Sequence, residues 1–588
     1  MSTPSPQAKG AFTFVLHSHL PYVLSHGRWP HGSDWLNEAA AETYVPLLDV
    51  FNQLVSEGIS PKCTVGITPV LMEMLADPDF KLEFQAYLHE KIEAAQADKE
   101  SFKRLGENSR VRLARHWADL YTQIADHFAN RYGRDILGAF RKLQDDGHLE
   151  IITCSATHGY APLLGHDTAI QAQVKMGRRV YERHMGRPPR GTWLAECAYR
   201  PRYEWAPPVR GEGAPKPMLR KGVEEFLSEN GIQYFIIDTH LLRGGKAAGV
   251  YIDRFDALRM LWKQYEKAYR PRPVDEELSP HQPHCVKSYV EAKDPVAVFT
   301  RDPETGLQVW SGEHGYPGNP AYLEFHKKHF PGGHRYWAVT DSAADLGAKR
   351  EYDLDKAGSV PGEQAAHFVG LVKQQLAASL AKTGEPGILT APFDTELFGH
   401  WWFEGPQWIA EVLRLMARDP EIMLTTCGDY LEANRPTDFV QIPEGSWGEG
   451  GHHHIWLNEF TEWVWARIYK AEAKMQALAK SHGESADPSM QRLLRACARS
   501  LLLLESSDWP FLISTWAARD YAELRAANHA SDFDRLADLT ENYAEKGTLA
   551  PEDWHFVEEA EARDRLFPDI DPRWWAALDV PPRMETSA

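Results

Sequence analysis

An α/β fold of the (β/α)-barrel type is what the sequence predicts. Short, almost continuously apolar runs recur with helix-length stretches between them, and each run ends on residues able to do chemistry. The runs are Phe12–Leu16 before His17, Cys63–Ile67 before Thr68, Glu150–Cys154 before Ser155, and Gly191–Ala195 before Glu196. They continue with Gln233–Ile237 before Asp238, Val296–Thr300 before Arg301 and Asp302, and Gly387–Phe393 before Asp394. None alternates polar with apolar, as a half-exposed strand would, so all read as buried parallel strands with crossover helices. Seven such units describe a barrel whose active site lies at the C-terminal rim of the strands. An open doubly wound sheet is the competing architecture, and Ile422–Thr426 is a candidate eighth strand.

Uneven spacing locates the insertions. Between Thr68 and Glu150 the charged stretch Lys81 to Asp146 carries Leu82, Phe84, Tyr87, Leu88 and Ile92 at helical spacing, which predicts a helical subdomain over residues 72–147. Between His240 and Val296 lies a loop-rich stretch with Gly244, Gly245, Gly249 and several prolines, expected to act as a lid. Beyond Asp429 strand signals fade, while Glu459–His482 and Pro488–Leu504 have helical periodicity. The expected organisation is a catalytic barrel over 1–428, containing the insertion, followed by an α-helical domain over 429–588.

Composition removes several classes of function. The 588 residues carry 64 Lys+Arg against 83 Asp+Glu, a net charge of −19, which argues against a nucleic-acid partner. Hydrophobic residues at 43% and charged residues at 25% are ordinary globular values, so disorder is not expected. Six cysteines are scattered without a C-x-x-C pair, as in a protein with reduced thiols. Met1 to Gly10 lacks an apolar core, and no apolar run reaches the ~18 residues of a membrane span, so the expected location is cytoplasmic. The 20 Trp are unusual: wide rings fill a core or stack on flat ligands, and composition does not choose.

Two strand-end carboxyls stand out. Glu196 follows Gly191-Thr-Trp-Leu-Ala, where partial desolvation at a barrel mouth suits a nucleophile or base; a helix cap or an ion pair with Arg200 or Arg202 is the plainer reading. Asp394 ends Ala391-Pro-Phe and precedes an aromatic cluster; its plainer reading is also a cap. Retaining glycosyl transfer needs two carboxyls about 5–5.5 Å apart, one ionised to attack the anomeric carbon and one protonated to release the leaving oxygen. Glu396, two residues on, is a rival for the acid.

His17 and His19 follow the first run and His158 the third. Such histidines are metal ligands, hydrogen-bond partners of polar ligands, or structural, so a metal-dependent hydrolase stays open. Trp29 and Trp35, Trp310, Trp401 and Trp402, and Trp447 and Trp456 lie beside Gly, His, Asp or Glu, a composition that suits the apolar faces and hydroxyl edges of sugars. Asp508 and Trp509 add a similar pair from the helical part. A single Trp is more often core. The run His452 to His454 reads as a solvated binding loop rather than a metal tract.

At these residues the sequence resembles the family-57 glycoside hydrolases, and among them the α-1,4-glucan branching enzymes. The matching segments are His17-Ser-His19-Leu-Pro-Tyr22, Thr64-Val-Gly-Ile-Thr-Pro69, Trp193-Leu-Ala-Glu196, Phe393 through Trp402, and Ser446 through Gly450 with Asn458-Glu459. Ala156-Thr-His158-Gly-Tyr160 and Trp310 to Gly318 match less strongly. The resemblance implies an incomplete seven-stranded (β/α) barrel with a helical insertion and a helical C-terminal domain, and it needs neither metal nor cofactor. It makes Glu196 the nucleophile and Asp394 the general acid/base, and it places His17, His19 and His158 around the donor sugar. The Gly244 to Tyr251 segment resembles the family's mobile loop, with Tyr251 as its tip tyrosine. The sequence departs from the family at Ala195 and Cys197, where relatives often carry Pro and Met. The expected substrate is an α-glucan such as amylose, amylopectin or glycogen. A same-family amylase or 4-α-glucanotransferase would share both carboxyls, and a non-catalytic glucan-binding protein would not need them.

Overall fold

The computed structural model of the chain describes residues 8–247, 255–288, 294–310, 315–341 and 344–582. Seven parallel strands line a ring: β1 (Gly10–Ser18), β2 (Cys63–Ile67), β3 (Leu149–Ile152), β4 (Gly191–Thr192), β5 (Tyr234–Ile237), β6 (Ala297–Thr300) and β7 (Gly387–Asp394). Ladders join β7, β1, β2 and β3 into one half of the wall and β4, β5 and β6 into the other. Single parallel bridges, Thr153 to Thr192 and Arg301 to Thr390, join the halves on both sides. The ring therefore closes, and the open-sheet alternative falls. Each of the seven apolar runs supplies one of these strands.

Continuous burial is the reason the runs do not alternate. Every residue of β1, β2, β3, β5 and β6 is buried, because one face meets the barrel interior and the other meets the surrounding helices. β4 is only two residues long, although its apolar run is longer, because the chain leaves the ladder to form a tight turn at Glu196. The candidate eighth strand is real but lies outside the ring. β8 (Ile422–Leu424) pairs with Gly10–Phe12 at the foot of β1, on the edge that β2 takes over from Val15 onward.

Helices Pro69–Ala76, Pro78–Leu105, Asn108–Asp126 and Ile136–Asp145 fill the stretch between β2 and β3. The middle two pack on each other as a hairpin arm that reverses at Gly106, whose φ of 75° favours glycine. Lys91 Nζ donates to the Gly332 carbonyl (2.9 Å) and Trp117 Nε1 to the Arg335 carbonyl (2.8 Å), tying the arm to the 330s.

The stretch between His240 and Val296 is more structured than a loop-rich reading predicts. Helix Asp256–Tyr265 and strand His284–Val286 form there, and the strand pairs with both β6 and Phe439–Val440. Residues 439–458 thus stay on the barrel although they follow the expected boundary at 428. The helical body begins at Glu462–His482 and continues with Pro488–Leu504, Asp508–Thr515, Arg519–Lys546 and Pro551–Arg563. Among the described residues no helix is long and apolar enough to cross a membrane.

Candidate active site

Glu196 sits in a three-residue turn at the end of β4 with φ 60°, ψ 28°, and Cys197 beside it has φ 48°. Left-handed backbone at consecutive non-glycine residues is costly and persists where surrounding structure enforces it. Two later segments enforce it here. Residues 445–447 run antiparallel to 196–199: Tyr199 and Gly445 exchange backbone hydrogen bonds of 2.9 and 3.0 Å, and the Trp447 amide donates to the Glu196 carbonyl (3.2 Å). Residues 506–508 lie against the His158 loop through a Gly159–Ser506 bridge and a Ser507 N–H to His158 carbonyl bond of 3.0 Å.

The same segments supply donors to the carboxyl. Trp447 Nε1 donates to Glu196 Oε2 (2.7 Å) and Ser507 Oγ reaches Oε1 at 3.5 Å. Burial pushes the Glu196 carboxyl up to about 8, and the charges of Asp394 and Asp508 push the same way; the Trp447 and Ser507 hydrogen bonds oppose them.

Asp394 is the last residue of β7, next to His17 in register on β1, so the two share a face of the wall. Glu396 is turned aside by the Tyr44 hydroxyl and by the His19 amide (3.1 Å), both donating to its Oε1. Burial pushes Glu396 up to about 8, with the Asp394 charge adding to the shift and the Tyr44 hydrogen bond opposing it. Glu396 is therefore a buried acid engaged by protein donors, and Asp394 is half-buried.

Three histidines connect the two sides. His17 Nε2 and His158 Nε2 are 3.1 Å apart, His158 Nδ1 meets Ser507 Oγ at 2.7 Å, and His19 Nε2 meets Asp508 Oδ2 at 2.9 Å. One set of tautomers satisfies the first two contacts and the serine: His17 N–H to His158, His158 N–H to Ser507, Ser507 O–H to Glu196. Burial, reinforced by the neighbouring histidines, holds His17 and His158 well below the ordinary imidazole range, so both are neutral. Burial pushes Asp508 up, but His19, the next largest influence, wins and holds it below the ordinary carboxylate range. Gly66 on β2 leaves room for this cluster, since a Cβ there would stand 3.3 Å from His17 Nδ1.

His19, His158 and Asp508 present donor atoms within 4.8 Å of one another. All four ring nitrogens of the two histidines already have protein partners: Thr68 and Asp508 for His19, Ser507 and His17 for His158. A metal ion would have to displace them, so the donor set fits a hydrogen-bonding cluster better than a metal site.

The aromatic residues divide. Trp193 stacks on His17 (4.7 Å, 14°) and meets Trp447 edge-on (5.3 Å), backing the cluster. Trp456 is fully buried and stacks on Tyr160 (4.6 Å), and Trp310 lies 6.2 Å from Phe393 near the end of β7. Trp401 is 39% exposed and stacks on Phe325, while Trp29 is 70% exposed beside a groove of about 600 Å³ that includes Tyr87, Lys328 and Phe330. Besides Trp456, two expected wall residues are core instead. Trp402 is packed among Phe398, Tyr322 and Trp408, and Trp509 is closed in under the Arg525 guanidinium with its Nε1 donating to the Leu503 carbonyl. Adjacent residues on a turn or helix point in different directions, so Trp401 faces solvent and Asp508 faces His19 while their neighbours pack into the core. Of the expected solvated histidine loop only His452 is exposed: His453 bridges Tyr160 and Glu444, and His454 lies flat on Tyr265 at 3.5 Å. Tyr251 lies outside the described residues.

Sequence reasoning missed Ser507, Tyr44 and the Asp238–Arg301 pair. Arg301 Nη2 donates to Asp238 Oδ2 (2.6 Å) across the ends of β5 and β6 and, against the opposing effect of burial, holds that carboxyl well below the usual range. Both residues end apolar runs, which was the available signal. Ser507 also had one, as part of Ser506-Ser507-Asp508 at a helix start.

A closed parallel barrel with an acidic cluster at its C-terminal rim defines a barrel enzyme of the glycoside hydrolase and transferase class. The profile of "Glycosyl hydrolase family 57" matches residues 13–443 and that of "1,4-alpha-glucan branching enzyme, C-terminal" residues 467–575. The 1,4-alpha-glucan branching enzyme TK1436 of Thermococcus kodakarensis is 41% identical over 560 residues, 95% of this chain and 77% of that protein. The crystal structure of a branching enzyme of the same type from Pyrococcus horikoshii superposes with a TM-score of 0.85 at 41% identity, covering 98% of each chain. The α-amylase AmyC of Thermotoga maritima is more distant, with a TM-score of 0.77 at 29% identity over 97% of this chain and 99% of that one. The chain belongs to glycosyl hydrolase family 57.

Proposed function

We propose that this protein is a retaining 1,4-α-glucan branching enzyme, acting on amylose, amylopectin or glycogen-type chains, with Glu196 as nucleophile and Asp394 as general acid/base. The observation that supports Glu196 as the nucleophile is donation to its carboxyl. Trp447 and Ser507 both donate to Glu196, which stabilises its ionised form, while mutual repulsion with Asp394 favours one proton shared between the two carboxyls. The reactive arrangement is Glu196 charged and Asp394 protonated.

Glu196 attacks C1 of a glucose residue; the C1–O4 bond breaks as Asp394 passes its proton to O4, and the cleaved chain leaves. Asp394, now ionised, takes the proton of an acceptor 6-hydroxyl; the C1–O6 bond forms and Glu196 is released. Two inversions at C1 give retention and an α-1,6 branch. His17, His19 and His158 surround the donor sugar, and Asp508 holds His19 in place. Trp29, Trp310, Trp401 and Trp447 extend or back the glucan path, and Trp456 is packed behind Tyr160. To Tyr251 the family resemblance assigns the role of keeping water from the glycosyl-enzyme.

The catalytic body expected over residues 1–428, with 72–147 its helical insertion, also takes in the 439–458 stretch that stays on the barrel, and the rest of 429–588 is the C-terminal domain that completes the site. The six cysteines are all free and buried, which suits a cytoplasmic protein, and the net charge of −19 argues against a nucleic-acid partner.

The deciding experiment incubates the protein with linear amylose and counts reducing ends and isoamylase-released chains together. New short chains after debranching, in excess of new reducing ends, are expected. Reducing ends without branches would make the protein an amylase, the activity named for the AmyC relative. Linear chains of altered length would make it a 4-α-glucanotransferase.

A further inference from the structure

Helix Asp508–Thr515 leads from the catalytic cluster to an exposed tryptophan held in a conformation that favours glycine. Asp508, at its start, pairs with His19, and Trp516 follows its last residue with φ 60°, ψ 12° and 52% of its surface exposed. The chain has an internal standard for such positions. Helices Pro78–Leu105, Asp167–Met185, Leu354–Thr383 and Arg519–Lys546 also end on a left-handed residue, and in all four that residue is glycine. A bulky indole at the fifth is the unfavourable choice for the backbone, and its exposed ring regains little by packing.

The ring has a fixed setting. The Arg519 guanidinium lies 5.9 Å from the Trp516 ring and 5.2 Å from the Phe460 ring, and Glu523 holds Arg519 through Nε at 2.8 Å. Asn458 Nδ2 donates to Ser514 Oγ (2.8 Å) and Asn458 Oδ1 accepts from the Phe460 amide (3.0 Å), so the Phe460 segment is tied to the same helix end. Eight helical residues span ~12 Å, roughly the distance along this helix from the catalytic cluster to the platform. Helix Asp256–Tyr265 packs against this helix, and Phe255 meets Phe511 edge-on at 6.1 Å.

From this we infer that Trp516, with Phe460 and Arg519, forms a glucan-binding platform at the outer end of helix Asp508–Thr515, holding a distal part of a chain whose reacting part lies at Glu196. Flat apolar rings beside a guanidinium and a carboxylate match the alternating apolar faces and hydroxyl edges of an α-1,4 glucan. The inference rests on the glucan reading above.

The test uses full-length protein carrying Glu196→Gln, so that binding is read without turnover, and compares it with the same protein carrying Trp516→Gly or Trp516→Phe. Glycine suits the backbone and removes the ring; phenylalanine keeps a smaller ring. Amylose and maltotriose are the probes. With Trp516→Gly the melting temperature is expected to stay level or rise, affinity for amylose to fall about five- to tenfold, and affinity for maltotriose to stay unchanged. Trp516→Phe is expected to fall between the two, and Phe460→Ala to reproduce the amylose loss. Unchanged amylose affinity overturns the platform, and so does a marked drop in melting temperature, which would make the ring structural. Dissociation of an oligomer on Trp516→Gly would make the surface a contact between copies and overturn it equally. If the parent protein binds no glucan at all, the proposed function itself fails; if the parent binds and all the Trp516 variants bind as well, only the platform fails.

Discussion

The two carboxyls at the barrel rim are held in contrasting ways. Asp394 ends a regular eight-residue strand whose neighbours, His17, Ser18 and Glu396, belong to the barrel and its first connections. Glu196 follows a two-residue strand, in left-handed backbone, and is held by segments that arrive 251 and 311 residues later in the chain. The Asp394 side is thus built by strand pairing within the barrel, whereas the Glu196 side is completed only when the 445–447 and 506–508 segments dock. A barrel without its C-terminal part would keep Asp394 in place and lose the clamp on Glu196.

The sharpest way to break this contrast is to remove each carboxyl. Glu196→Gln and Asp394→Asn are each expected to lower branching activity by at least about a thousandfold while the protein stays folded, and near-normal rates in either would sink the assignment. Azide separates the roles. With Glu196→Ala it should yield the inverted glucosyl azide, and with Asp394→Ala the retained one, identified by NMR of the products.

A smaller effect is expected from the clamp itself. Asp508→Asn removes the charge that tethers His19 and should cost roughly 10- to 100-fold in kcat/KM with little loss of melting temperature. Trp447→Phe removes the strongest donor to the ionised nucleophile and should cost about tenfold. Because that hydrogen bond favours the charged form, its loss raises the Glu196 pKa. The acidic limb of the kcat/KM profile should therefore move to higher pH by about one unit; a limb that stays put would show that Trp447 does not set the charge.

The mildest effect concerns stability on the Asp394 side. Glu396 is pushed up to about 8 from an ordinary value near 4.5, so the folded protein holds a proton there that the unfolded chain releases. Its contribution is fully present below about 4.5 and is lost as pH rises toward 8. Glu396→Gln mimics the protonated acid and should raise the melting temperature by a few degrees at pH 8 and hardly at all at pH 5. An equal shift at both pH values would contradict the assignment of that proton.

The same contrast governs what could be read from sequence. All seven strands were legible because parallel strands buried on both faces leave unbroken apolar runs. Glu196 and Asp394 were legible because a barrel places the residue after such a run at the rim. Trp402 and Trp509 were not, since whether a ring faces inward depends on turn and helix direction rather than on its neighbours in sequence. Ser507 and Trp447 were invisible as a pair of donors, since nothing local couples positions hundreds of residues apart. The docking of helix Asp256–Tyr265 onto the 448–454 loop escaped for a related reason. It depends on Gly450, where a Cβ would stand 2.7 Å from the Trp262 ring, and a glycine in a loop does not announce what packs against it.

The barrel wall is two half-sheets joined by two single bridges, and Asp394 stands on one half while Glu196 follows a strand of the other. The gap between the carboxyls is therefore a distance across a joint rather than a length within a sheet. Since a spacing of about 5–5.5 Å admits direct attack with retention and about 6.5–9.5 Å admits an intervening water with inversion, the joints at Thr153–Thr192 and Arg301–Thr390 bear on the stereochemistry of the reaction although neither lies at the carboxyls.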